Sequence, residues 1–201
     1  MDDLEEAFRV LSPYVPVAPY KVVTNSTFHW DSFPAVAKVA STVHKTDVGG
    51  VRLGLKDLEE LRRAVEELLS IHPKVIVQPM IKGVEVFLGG RLDPHFGPTV
   101  SLGLGGVFVE IYNDVSTRLV PLEREDVYDM IDELRGKKAL LGFRGIKIDL
   151  DALVDAVLGF SRFMWEQRPD VAEINPLIVN DAGAFAVDIR LQEHSSRAPP
   201  Q

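Results

Sequence analysis

The stretch AEINPLIVNDAGAFAVDIR, residues 172–190, decides how the carboxy-terminal half of the chain is read. Ala172–Val179 and Ala184–Arg190 are apolar-rich runs, and Asn180-Asp181-Ala182-Gly183 between them supplies the residue types that tight hairpin turns demand. The expectation is two antiparallel strands. If Asn180 and Gly183 close a two-residue turn, Asn175 and Asp188 lie equally far from it and face each other directly. Opposed residues have Cβ atoms about 5 Å apart, and Glu173, two residues upstream of Asn175, shares that face. Three oxygen-bearing side chains then converge, whereas a three-residue turn shifts the register by one. Two carboxylates and an amide oxygen with no soft donor suit Mg²⁺, which keeps waters and shares substrate phosphates. The plainer alternative is a polar strand end with an Asn-Pro turn.

Upstream, hydrophobic spacing predicts a helix over residues 2–11 that Pro13 stops, an extended segment to Val23, and a buried strand over Phe33–Ala40. Ser41–Gly50 is a polar loop and Val51–Leu55 a second strand. Asp57 and Glu60 stand at capping-box spacing before the stripe Leu58, Leu61, Val65, Leu68 and Leu69, which ends near Ser70. Lys74–Met80 and Val84–Leu88 read as strands, and Thr99–Glu110 is dense in glycine. Val127, Met130, Ile131 and Leu134 mark a third helix; Leu150, Leu153, Val154, Val157 and Ser161, behind Asp149, mark a fourth. Strands mixed unevenly with helices predict an α+β domain over residues 1–191, with lobes of about 1–80 and 81–191 and a flexible tail over 192–201.

At 201 residues the chain can bury a full core without metals or disulfides. It has no cysteine, which removes thiol nucleophiles, iron–sulfur clusters, cysteine zinc sites and disulfides together. A net charge of -8 with scattered Lys and Arg repels phosphate backbones, so no nucleic acid partner is expected. No leader-like segment and no apolar run near the roughly 20 residues a bilayer needs is present, so a cytoplasmic protein with no membrane partner is expected.

Lys38 shares a strand face with Val36 and Ala40, where an unpaired ammonium costs several kcal/mol. It needs an anion such as a nucleotide phosphate, or else it is an edge-strand lysine reaching solvent by its stem. The loop His44-Lys45-Thr46-Asp47-Val48-Gly49-Gly50 follows. Gly49 and Gly50 let backbone amides turn toward an anion, and the His44 imidazole suits a nucleophile or proton carrier; a solvated loop histidine and a simple chain turn are the alternatives. Gly103-Leu104-Gly105-Gly106 is not a dinucleotide fingerprint, because Phe108 stands where the third glycine belongs. It marks close approach to a ligand or partner, or else a bulge. Glu85 either pairs with Lys38, touches a ribose, or is an ordinary exposed strand residue, and Arg118 is a phosphate ligand or a surface arginine.

In order along the chain, Val15-Pro16-Val17, Lys38, the His44–Val51 loop, Asp93-Pro94-His95-Phe96-Gly97-Pro98, Gly103–Gly106, Asp114-Val115-Ser116, Arg118, Ile174-Asn175-Pro176-Leu177 and Ala186-Val187-Asp188 resemble the β subunit, or fused ATP-grasp module, of ADP-forming acyl-CoA (acetyl-CoA) synthetases, relatives of succinyl-CoA synthetase. The resemblance implies an ATP-grasp fold with two α/β lobes clasping ATP or ADP. It implies Lys38 on the phosphates, the Gln78–Met80 linker (Gln78, Pro79, Met80) beside adenine, and Asn175 and Asp188 on Mg²⁺. His44 matches a histidine proposed to carry phosphate. The implied partner is a CoA-binding α subunit with a phosphohistidine loop, in a heterotetramer, and this chain alone is not expected to complete the cycle. The expected reaction is acyl-CoA, ADP and phosphate giving carboxylic acid, ATP and CoA. A stand-alone carboxylate–amine ligase and a catalytically silent nucleotide-sensing or scaffolding subunit are the rivals. The sequence departs from the family in three places: Glu173 replaces the usual Asp, the segments at Val23–Phe33 and Ser70–Lys74 are short, and Leu92 separates Arg91 from Asp93.

Overall fold

The computed structural model describes residues 2–42, 49–106, 113–142 and 147–192. They form two compact units, one of Asp2–Arg9 with Ala18–Ile81, the other of Val10–Val17 with the chain from Lys82 onward. Among the described residues no helix is long and apolar enough to cross a membrane.

In the first unit, β1 (Lys21–Val23), β2 (Ala35–Val39), β3 (Val51–Leu55) and β4 (Val75–Pro79) form an antiparallel sheet in the order β1-β4-β2-β3. Helix α1 (Leu4–Leu11) opens beside it, where Asp3 Oδ1 accepts the amide of Glu5 at 2.9 Å and Lys74 Nζ donates to Asp3 Oδ2 at 2.9 Å. Alternation turns Ala35, Ala37, Val39, Val75 and Val77 to one face, and Leu61, Val65 and Leu68 of α2 (Leu58–Leu69) complete that core. Asp57 caps α2, accepting the amides of Glu59 at 2.9 Å and Glu60 at 2.8 Å. Glu60 does not close the expected reciprocal bond to Asp57; its carboxylate accepts the amide of Lys56 at 2.8 Å, one residue earlier.

In the second unit, β5 (Val84–Asp93), β6 (Gly97–Leu104), β7 (Val115–Leu119), β8 (Val171–Asn180), β9 (Gly183–Ala186) and β10 (Ile189–Gln192) form an antiparallel sheet in the order β10-β8-β5-β6-β7, with β9 also on β8. The glycine-dense segment is thus an interior strand as far as Leu104, with Pro98, Val100 and Leu102 buried. The strand expected over 184–190 is two, interrupted at Val187-Asp188. Gln192, placed in the tail by sequence, is the last residue of β10, and the rest of that segment lies outside the described residues.

Helices α3 (Arg124–Glu133) and α4 (Leu150–Gln167) pack together, α3 against β7 and α4 against β5 and β6. Asp149 caps α4 through the amide of Ala152 at 2.9 Å, and Arg168 ends it with φ 47°. Ser161, on the buried stripe of α4, is satisfied because its hydroxyl accepts the amide of Leu122 at 3.0 Å. The segment around Tyr14 lies along α4: the Tyr14 hydroxyl donates to Glu166 at 2.7 Å, and its ring meets Phe163 edge-on at 5.4 Å.

This contact generates a stability prediction. A Cβ at Gly159 would sit 2.0 Å from the Tyr14 carbonyl oxygen. Helix propensity alone favours alanine by about 1 kcal/mol, but overpacking against backbone costs roughly 1–3 kcal/mol or more. Gly159→Ala should therefore lower stability by on the order of 1–2 kcal/mol, seen as a lower urea midpoint at unchanged m; a raised midpoint would show that α4 does not need this approach.

Candidate nucleotide and metal site

Strand β2 runs between β4 and β3, so Lys38 stands on an interior strand and the edge-strand alternative fails. Lys38 opposes Ile76 and Gln78 opposes Val36, which puts Lys38 and Gln78 on the sheet face opposite the α2 core, as diagonal neighbours. Their exposures are only 4% and 2%. The Gln78 Nε2 is buried without a hydrogen-bond partner. An unpaired buried amide costs about 1–3 kcal/mol, so a protein that keeps one gains a donor ready for an acceptor brought by a ligand. The expected linker is in fact the end of β4, with Gln78 inside the strand; Met80 follows, 37% exposed, its amide donating to the Pro34 carbonyl at 2.8 Å.

Of the loop expected to cover phosphates, only the glycine end is described, and His44 lies outside the described residues. Gly49 is exposed with φ +64°, and its carbonyl accepts Arg52 Nη1 at 2.6 Å. Gly50 is buried, and its carbonyl accepts the amide of Val39 at 2.9 Å, which ties the returning loop to β2.

At the hairpin, Asn180 pairs with Gly183 and Leu177 with Ala186; past the interruption, Ile189 pairs with Ile174 and Arg190 with Glu173. Both ladders have one register, so Asn175 and Asp188 occupy opposite positions in the gap, and the Val187 amide still reaches the Pro176 carbonyl at 3.3 Å. Asn175 is exposed and donates to Glu173 Oε1 at 3.4 Å. Asp188 is half-buried, with Oδ1 accepting the amide of Ile189 at 2.8 Å. The ladder is thus interrupted where Asn175 and Asp188 stand opposite each other. No group of three His, Cys, Asp or Glu side chains able to hold a metal occurs among the described residues. What the hairpin offers is two carboxylates and an amide, a hard set that fits Mg²⁺ sharing its remaining positions with water and phosphate.

Glu85 is exposed on β5, with its carbonyl accepting the Gly105 amide at 2.7 Å. Arg118, expected on phosphate, is held as a fork on Glu133 of α3: Nη1 reaches Glu133 Oε2 and the Ser116 hydroxyl at 3.1 Å each, and Nη2 reaches Oε1. The hydrogen bond from Arg118, then that from Ser116, holds the Glu133 carboxyl below the usual range, and Glu133 in turn raises Arg118. Asp114, buried at the start of β7, accepts the amides of Arg135 and Gly136 at 2.9 Å each. Asp114, Ser116 and Arg118 thus brace β7 against the end of α3. Sequence spacing does not pair Arg118 with Glu133, because the two meet only through folding.

The ATP-grasp domain family matches residues 4–192. Acetate–CoA ligase (ADP-forming) II of Archaeoglobus fulgidus is 42% identical over 165 residues, which cover 79% of this chain and 24% of that one. The β subunit of acetate–CoA ligase (ADP-forming) I of Pyrococcus furiosus is 35% identical over 92% of this chain and 89% of its own. The chain therefore spans about a quarter of the first relative and nearly all of the second. A structure of the dinucleotide-forming acetyl-coenzyme A synthetase 1 of Ca. Korarchaeum cryptofilum, in complex with coenzyme A and Mg-AMPPCP and with its phosphohistidine segment pointing towards the nucleotide binding site, matches with TM-score 0.83 at 38% identity, covering 95% of this chain and 92% of that one. With an α+β structure and these relatives, the chain belongs to the ATP-grasp domain family, among the β subunits and β-type modules of ADP-forming acetate–CoA ligases.

Proposed function

We propose that this chain is the nucleotide-handling part of an ADP-forming acyl-CoA synthetase, in which acyl-CoA, ADP and phosphate yield a carboxylic acid, ATP and CoA. The observation that carries the reading is the buried pair Lys38 and Gln78 on one sheet face, where an apolar strand pattern would ordinarily place hydrocarbon. Lys38 holds phosphate, and Gln78 with Met80 holds the base. Glu85 takes the ribose hydroxyls, and the Gly49 and Gly50 backbone lines the phosphate side. Arg118 is left to its fork on Glu133.

In the transfer step the phosphoryl group leaves a histidine nitrogen and bonds to the terminal phosphate oxygen of ADP, so one N–P bond breaks and one P–O bond forms. Such transfers need mainly alignment and neutralisation of charge, which a fixed ammonium and backbone amides supply without reorganising. Asn175, Asp188 and Glu173 are the residues that would hold Mg²⁺, whose charge, when bound, offsets that of the phosphates. The donor histidine belongs to a CoA-binding α subunit, assembled with this chain as a heterotetramer in the cytoplasm, with His44 as a relay on this chain. The Korarchaeum relative, with its phosphohistidine segment pointing towards the nucleotide binding site, supports transfer between such a segment and the nucleotide.

Three outcomes follow. Lys38→Met should weaken Mg-ATP by roughly 10–100-fold while leaving adenosine almost unchanged, as the loss of one charged contact implies; equal losses in calorimetric titrations would remove Lys38 from the phosphates. Asp188→Asn keeps the shape but not the charge and should cut magnesium-dependent ADP affinity by roughly 10-fold or more, with circular dichroism unchanged. Wild-type affinity would reject the metal site. His44→Ala should bind nucleotide normally yet fail to label the CoA-binding partner from γ-labelled ATP, and partner labelling at the wild-type rate would reduce His44 to a loop residue.

A further inference from the structure

The β5–β6 ladder ends at Val86 opposite Leu104, and the next position brings Gly105 over Glu85. The Gly105 amide donates to the Glu85 carbonyl at 2.7 Å. A Cβ on Gly105 would lie 2.9 Å from the Glu85 Cβ, 3.1 Å from its carbonyl carbon and 3.2 Å from its oxygen. Real Cβ atoms do not approach so closely, so either β6 or Glu85 would have to move. Gly106 follows with φ +64°, a conformation side chains rarely adopt, and its missing Cβ would stand 3.6 Å from Glu85 Oε2. Both glycines therefore face one side chain: the first admits the Glu85 backbone, the second leaves a notch beside its carboxylate. Gly90, in the same sheet, is crowded differently, with its missing Cβ 2.3 Å from Met164 Sδ and not near Glu85.

We infer that Gly105 and Gly106 are positioning residues for the Glu85 carboxylate, and that they set how strongly the site tells a ribose from a sugar without vicinal hydroxyls. The inference rests on the assignment of Glu85 to the ribose. It gives the Gly103–Gly106 run a role inside the chain: the close approach is to Glu85 on the neighbouring strand.

The test compares the affinities of ADP and 2′,3′-dideoxy-ADP, both with magnesium, by calorimetry on the full chain. Wild type should prefer ADP by roughly 10-fold or more, the scale of hydrogen bonds to a charged acceptor. Glu85→Ala should bring the ratio close to one. Gly105→Ala should do the same while binding the dideoxy nucleotide as wild type does, a split that general loosening of the fold would not produce. Gly90→Ala, the crowded control, should lose stability and keep the ratio. Because Gly105→Ala can fail to fold, Gly106→Asn serves as the second variant: asparagine tolerates the left-handed conformation, so it fills the notch with little backbone strain. A wild-type ratio near one would overturn the ribose assignment and this inference with it. A high wild-type ratio that Glu85→Ala abolishes but folded Gly105→Ala or Gly106→Asn retains would overturn the positioning role alone.

Discussion

A turn of two residues, Asp181-Ala182, closes β8 onto β9 with Asn180 opposite Gly183, and the placement of Asn175 opposite Asp188 depends on that register. Side chains alternate across a strand, so a slip of one residue in this pairing would take Asp188 away from its place opposite Asn175 and turn it to the other face. Asn180 secures the turn on three sides. Its side-chain oxygen accepts the Ala182 amide at 2.9 Å, its side-chain nitrogen reaches the Lys82 carbonyl at 2.8 Å, and its own carbonyl accepts the Asp149 amide at the head of α4 at 2.8 Å. One residue thus ties the hairpin to the entry of β5 and to the capped end of α4.

The first unit solves a different problem. Its sheet has one face covered by α2, and the other carries Lys38 and Gln78 among Val36 and Ile76. Burying an ammonium and an amide in such company costs several kcal/mol unless both find partners. Of the two, the Gln78 Nε2 is buried without a hydrogen-bond partner, a donor that an acceptor atom of a ligand would satisfy. The same low-dielectric surroundings that make the groups costly make their contacts with a charged ligand strong.

The glycines divide by what they let pass. Gly159 and Gly90 admit a backbone carbonyl and a methionine side chain, and so serve packing alone. Gly105 and Gly106 admit a strand neighbour whose carboxylate is exposed. Packing glycines and positioning glycines look the same as letters, and only the identity of the atom at the missing Cβ separates them.

The sequence by itself determined the elements whose signals are local: the capped helices behind Asp57 and Asp149, the strand Val51–Leu55, a strand within Lys74–Met80, and the existence of the hairpin around Asn180–Gly183. Whether Asn175 stands opposite Asp188 was left between a two-residue and a three-residue turn, and the pairing of Asn180 with Gly183 decided it. Tertiary structure decided the rest. Lys38 is interior because β3 returns beside it, the glycine-dense run is a strand because β5 and β7 flank it, and the predicted last strand breaks at Val187-Asp188. The fork of Arg118 on Glu133, the unpaired amide of Gln78 and the seat of Glu85 beneath Gly105 were invisible in the chain for one reason. Each is a relation between residues brought together across strands or between strand and helix, and propensity and periodicity report only on neighbours along the chain.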